Sequence, residues 1–158
     1  MEKETQAPVL ILGTGNILLK DEGIGIHIIK ELEKLPLPEG VELADGGTAG
    51  ADLIGLLADR ESVIVIDAVR ADHSPGTILK LQPEDLAQPG TVLLSLHEVN
   101  LLDTLTMLEY IQASPGRVII YGIVPGSMEP GLELTAETEA IVPGLVNLVL
   151  QTAGALAD

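Results

Sequence analysis

Short runs of consecutive apolar residues alternate along this chain with longer stretches in which apolar positions recur every three or four residues. The short runs are PVLILG (8–13), VELAD (41–45), SVIVIDA (62–68), TILKL (77–81), TVLLSL (91–96) and RVIIYGIV (117–124), and their length and β-branched content predict strands. The longer stretches, GIGIHIIKELEKL (23–35), AGADLIGLLAD (49–59), NLLDTLTMLEYIQ (100–112) and TAETEAIVPGLVNLVLQTAGAL (135–156), predict amphipathic helices. Pro143-Gly144 is expected to kink or interrupt the last of them. Strand and helix in alternation argue for an α/β three-layer sandwich, a mostly parallel sheet flanked by helices. The segment DHSPGTILKLQPEDLAQPGT (72–91) has no obvious helix between its apolar runs, so one antiparallel strand is expected there. No repeat, low-complexity tract or long linker divides the 158 residues, and a single domain over 1–158 follows.

Composition narrows what such a domain can do. The chain is 46% hydrophobic, with two Tyr, no Phe and no Trp, so its core is aliphatic and its pockets lack stacking walls. A formal net charge of -16 repels polyanions and argues against nucleic acid as a partner. The absence of cysteine removes thiolate nucleophiles, disulfides and Cys-based zinc sites. The N-terminal MEKETQAPVLIL lacks the cationic start and long apolar stretch of a signal peptide, and no run approaches membrane-spanning length. A cytoplasmic protein without membrane insertion is expected.

The loop GTGNILLKDEGIG (13–25) begins like a dinucleotide-binding turn, but the third glycine of G-x-G-x-x-G is replaced by Leu18. Asp21 and Glu22 then place negative charge where a phosphate-binding helix start would avoid it. Asp45, ending the second strand, can imitate a ribose-binding acid, so a dinucleotide-dependent oxidoreductase stays as an alternative. Asp21 also reads as an ordinary N-cap, with Glu22 a favourable first-turn acid.

In open α/β sheets ligands bind beyond the carboxyl ends of the strands, and three residues follow predicted strands there: Glu22, Asp67 and His97. Two carboxylates and an imidazole suit a first-row divalent ion with positions left open for a substrate. Other constellations fail. HEVNL (97–101) has Leu101 where a zincin needs its second histidine, and no G-x-S-x-G elbow occurs. His27, within an apolar helix, and His73, in an acidic loop, read as structural or solvated.

Taken in order, LGTGNILLKDEGIG, DGGTAG, VIDAV, SLHEVNLLDTL and GIVPGSMEPGLELT resemble the nickel-iron hydrogenase maturation endopeptidases over nearly the whole chain. The resemblance implies a twisted mixed sheet of about five strands between helices. It also implies a protease that removes a C-terminal extension from a hydrogenase large-subunit precursor after nickel insertion. Its nickel-recognition and cleavage residues, carried over by position, are Glu22, Asp67 and His97. Glu22 stands where some members carry a second aspartate. Gly13, Gly15 and Asn16 would shape the turn, and Asp45, Gly46, Gly47 and Thr48 an adjoining wall for the substrate backbone; Asn16 is counted with that wall as substrate-binding, and is equally readable as a turn residue alone. The nickel would arrive with the precursor, no organic cofactor is implied, and nickel-delivery maturation proteins are expected partners. A metal-binding chaperone that cuts nothing is the other reading of the same ligands.

Overall fold

The computed structural model describes residues 6–47, 52–90 and 92–158. Five strands, β1 (Val9–Thr14), β2 (Val41–Gly47), β3 (Ser62–Ala68), β4 (Ile78–Leu81) and β5 (Arg117–Ile123), form one sheet in the order β2-β1-β3-β5-β4. The pairs β1·β2, β1·β3 and β3·β5 are parallel, and β4 runs antiparallel to β5. Five α-helices accompany them: α1 (Ile24–Glu33), α2 (Leu53–Leu57), α3 (Pro83–Ala87), α4 (Leu96–Tyr110) and α5 (Ala136–Ala157). The expected mixed, mostly parallel α/β sandwich is therefore present, with its antiparallel strand inside the 72–91 segment.

Strand alternation divides the core in two. Val9, Ile11, Ile64 and Ile66 face α1 and α5, packing with Ile24, Ile28, Leu32, Leu145 and Val149. Leu10, Leu12, Val63 and Val65 face the opposite layer and meet Leu57, Leu86, Leu101 and Leu108. Both faces of β1 and β3 are covered, which is why these strands read as continuous apolar runs rather than alternating ones. Tyr121 of β5 is 2% exposed and its hydroxyl pairs with Thr152 of α5 at 2.7 Å, tying sheet and helix through a polar contact.

Four sequence expectations are corrected. The described part of TVLLSL (91–96), residues 92–96, is not a strand: Leu93 makes only an isolated bridge to Arg70, and Leu96 already opens α4. The sheet edge beside β5 is taken by β4, and Leu93 and Leu94 stay exposed. A short helix, α3, fills the supposed helix-free segment, started by Pro83 and by a reciprocal Gln82/Asp85 capping box. Pro143 sits inside α5 without interrupting it; Pro143 and Gly144 lie on its exposed side. Finally, α5 is 22 residues long and apolar enough to cross a bilayer by length and composition, so one run does reach that length. Its buried residues Leu145, Val146, Val149 and Ala153 form a single stripe against the core, while Glu137, Glu139, Asn147 and Gln151 face outward.

The chain leaves β1 through α1 to β2 on one side and reaches β3 on the other side of β1. The switch point thus lies between the carboxyl ends of β1 and β3, where a crevice opens in folds of this kind.

Candidate metal-recognition and peptidase site

β1 ends at Thr14 and turns at Gly15, whose φ of +129° and close approach to the Glu22 carbonyl exclude a side chain. Asn16 folds the next residues by accepting from the Leu18 backbone N–H at 2.9 Å, an Asx turn. A 3-10 turn, Lys20–Gly23, then carries Asp21 and Glu22 into α1. This turn separates α1 from the glycine bend, and it fills the place of a pyrophosphate with two acids. A dinucleotide cradle is not what the loop builds.

Asp21 is not a helix N-cap. Its carboxylate is fully buried and accepts from the backbone N–H groups of Gly126 (2.7 Å) and Thr135 (2.8 Å) and the hydroxyls of Thr135 (2.6 Å) and Thr138 (2.9 Å). It clamps the β1–α1 loop to the segment leading into α5 and so fixes its neighbour Glu22. Burial pushes the Asp21 carboxyl up, but the hydrogen bonds from Thr135, Gly126 and Thr138 outweigh it and hold the group below its ordinary value. A depressed folded-state value means stability that is present above the ordinary carboxylate range and lost as pH falls through the folded value. Asp21→Asn is expected to destabilise the chain by about 2–4 kcal/mol, because these donors, and the Ser127 N–H at 3.3 Å, lose a charged acceptor. The acid limb of its stability curve should flatten, both effects being read from urea midpoints between pH 3 and 7.

Asp67 closes β3 at 3% exposure, held by the Ala68 N–H at 2.9 Å and by the Thr14 hydroxyl. His97 comes from the first turn of α4, rather than from the end of a strand. Its Nε2 lies 3.6 Å from Glu22 Oε1 and its Nδ1 3.9 Å from Asp67 Oδ2. The ring is thus held between the two acids, one at each nitrogen, and all three residues singled out at predicted strand ends meet at the switch point.

A fourth group was missed. Ser95 precedes α4 and Glu98 is its third residue, the S-x-x-E spacing of a capping box, but the Ser95 side chain makes no bond to the helix backbone; its hydroxyl instead donates to Glu98 Oε2. Glu98 is 3% exposed, and its other oxygen, Oε1, is buried without a partner. The sequence signal was SLHE (95–98), hidden by reading the residues before it as a strand. Burial, the negative charge of Glu98 and, less strongly, that of Glu22 push the Asp67 carboxyl well above the usual range, against the Thr14 and Ala68 hydrogen bonds. Glu98 is itself pushed up to about 7, by burial first and against the backbone N–H groups of Glu98 and Ser95, with Glu22 adding to the rise. Three carboxylates around one imidazole make a pocket short of positive charge, the electrostatic complement of a metal cation.

A groove of about 270 Å³ runs from His97 and Thr14 past Gly46, Gly47 and Asn100 to Met107. The predicted wall residues Gly46 and Gly47 therefore line it. Asp45 is exposed and its Oδ1 accepts from the Gly47 N–H at 2.9 Å, which shapes this bend. Thr48 lies outside the described residues. His27, on α1, has its Nε2 buried without a partner, and His73 is exposed; neither reaches the site.

Comparison with known proteins agrees with this arrangement. The family model for hydrogenase maturation proteases matches residues 26–152. The hydrogenase 2 maturation protease of Escherichia coli is 40% identical over 144 residues, covering 90% of this chain and 88% of that protein. The hydrogenase expression/formation protein HupD of Rhodobacter capsulatus is 36% identical over 77% of this chain, which spans only 59% of that relative. The solved structure of the hydrogenase maturating endopeptidase HybD from E. coli superposes with a TM-score of 0.82 at 37% identity, covering 91% of this chain and 90% of that one. With a model match over most of its length and a full-length relative at this identity, the chain belongs to the hydrogenase maturation protease family and is a peptidase.

Proposed function

We propose that this chain removes the C-terminal extension of a nickel-iron hydrogenase large-subunit precursor once nickel has been inserted. The reading is carried by the imidazole of His97, set between Glu22 and Asp67 at the head of a groove lined by Gly46 and Gly47. Nickel here is part of the substrate. Glu22, Asp67 and His97 contact it, and that contact fixes the scissile peptide beside the carboxylates, with Gly46 and Gly47 presenting backbone to the incoming strand. Water adds to the peptide carbonyl carbon, the C–N bond breaks, and the leaving amine takes the proton. The chain has no cysteine, so a thioacyl intermediate is excluded. The reaction belongs in the cytoplasm, where nickel-delivery maturation proteins meet the precursor.

The test mixes the protein with nickel-loaded and nickel-free precursor and follows C-terminal mass loss by intact mass spectrometry. Loss of a defined peptide from the loaded precursor alone is the expected result. Equal cutting of both forms would remove nickel from recognition, and binding without cutting would turn the site into that of a chaperone.

A further inference from the structure

The chemistry above uses only the head of the groove. From His97 it continues along α4 past Asn100 and Asp103 to Met107, with Asp52 and Ile54, at the start of α2, also lining it. Apart from His97 its charged residues are both acids, and no Lys or Arg lines it. Asp52 and Asp103 are exposed, and among the described residues neither is paired with a basic side chain. One Asp52 oxygen caps α2 by accepting from the Gly55 N–H at 2.9 Å. Its second oxygen, and the whole Asp103 carboxylate, are left for something else to meet.

Thr104 points to a ligand independently. It is 8% exposed, yet it lines the same groove. Thr106 and Thr152 return their hydroxyls to the carbonyl four residues back, at 3.0 and 2.8 Å, a common arrangement for a helical threonine. The Thr104 hydroxyl does not, and it has no hydrogen-bond partner among the described residues. A buried hydroxyl left open on a groove wall is unfavourable unless something bonds to it there.

The spacing says which part of a substrate reaches these groups. Asp103 lies six residues beyond His97 on α4, roughly 9 Å along the axis at about 1.5 Å per residue. An extended peptide covers that length in about three residues. The segment before the scissile bond is anchored by its nickel at the head of the groove, so the strand free to follow α4 is the one after it. We propose that this stretch of the groove reads the extension itself, selecting a lysine or arginine about three positions past the scissile bond, with Asp103 and Asp52 as the residues that set this preference. The inference deepens the endopeptidase reading and rests on it. Met107, 54% exposed, and Ile54 cover the aliphatic stem of that side chain, and Thr104 bonds to the passing backbone. An acidic residue at the same position meets two like charges in a chain of net charge -16 and is rejected.

Nickel-loaded precursors differing only at the third position past the scissile bond, as Lys, Gln or Glu, are processed by the parent and by Asp103→Lys, and kcat/KM is read from product mass. The series is repeated one position to either side. At one of the three positions the parent should cut the Lys form about tenfold or more faster than the Glu form, with Gln between them. Asp103→Lys should reverse that order, which a merely structural role for this exposed residue does not produce, and Asp103→Asn should shrink the preference by about threefold. Circular dichroism confirms that both variants are folded. Equal rates in the parent at all three positions, or an order that Asp103→Lys leaves unchanged, overturn the proposal and leave the endopeptidase reading standing. No cutting of any form by the parent overturns that reading and this inference together.

Discussion

Asp67→Asn should abolish precursor processing while leaving the protein folded and no less stable. Asparagine keeps the volume and an oxygen able to accept from the Ala68 N–H, so β3 has no reason to shift. It removes the charge that faces His97 Nδ1 and with it the attraction for a cation. Loss of a group that orients metal and reacting peptide together is expected to cost at least about 10³-fold in rate. Stability should move the other way. The Asp67 carboxyl lies well above its ordinary value because burial and the charges of Glu98 and Glu22 oppose ionisation. A raised folded-state value means stability that is complete at low pH and declines as pH rises through that value. Replacing the acid by a neutral isostere removes this penalty at neutral pH, an exchange of function against stability. Intact mass spectrometry of processed precursor and urea denaturation at pH 7 read the two effects. Wild-type processing by the folded variant would take Asp67 out of the mechanism.

Gly25→Ala should cripple the fold rather than the chemistry. Helix propensity alone favours alanine by about 1 kcal/mol, and Gly25 lies inside α1 with no positive φ. Packing decides otherwise. A Cβ at this position would run into the carbonyl oxygens of Ile66 and Thr14 and come within 2.7 Å of the Thr14 nitrogen, all of them backbone atoms at the crossing of α1 with β1 and β3. No rotamer relieves such a clash, so α1 must move off the sheet and carry the Glu22 turn with it. A loss of at least about 3 kcal/mol is expected, seen as a lower urea midpoint. Gly144→Ala is the counterpart, in a helix position where an added Cβ meets nothing within 4 Å. It should stabilise by about 0.5–1 kcal/mol. Equal effects from the two would mean that propensity, not close approach, governs Gly25.

What could be read in advance followed the physics of each element. β1, β3 and β5 announced themselves because burial on both faces requires unbroken apolar runs, and α1 because its apolar stripe repeats with helical spacing. Glu22 and Asp67 were legible because strand ends point to the crevice. TVLLSL was misread because an apolar run carries no information about whether a sheet edge is free to receive it. His97 was found for a reason that proved inaccurate: it begins a helix, and that helix brings it to the same place. Glu98 was overlooked although SLHE carries a capping signature. The part played by Asp21 was out of reach, since its donors stand 105 to 117 residues away and no local pattern connects them.

His97 riding on α4 rather than on the sheet divides the site between regions of unequal protection. Asp67 ends the central strand, paired on both sides along most of its length, whose amides should exchange with solvent only when the whole molecule opens. His97 follows a segment joined to the rest of the described backbone by the single Arg70–Leu93 bridge, and the first turn of α4 can fray without disturbing that strand. A ligand that grips both sides must therefore suppress the fraying, and its binding free energy will appear as slowed exchange in residues 95–99 long before it registers in β3.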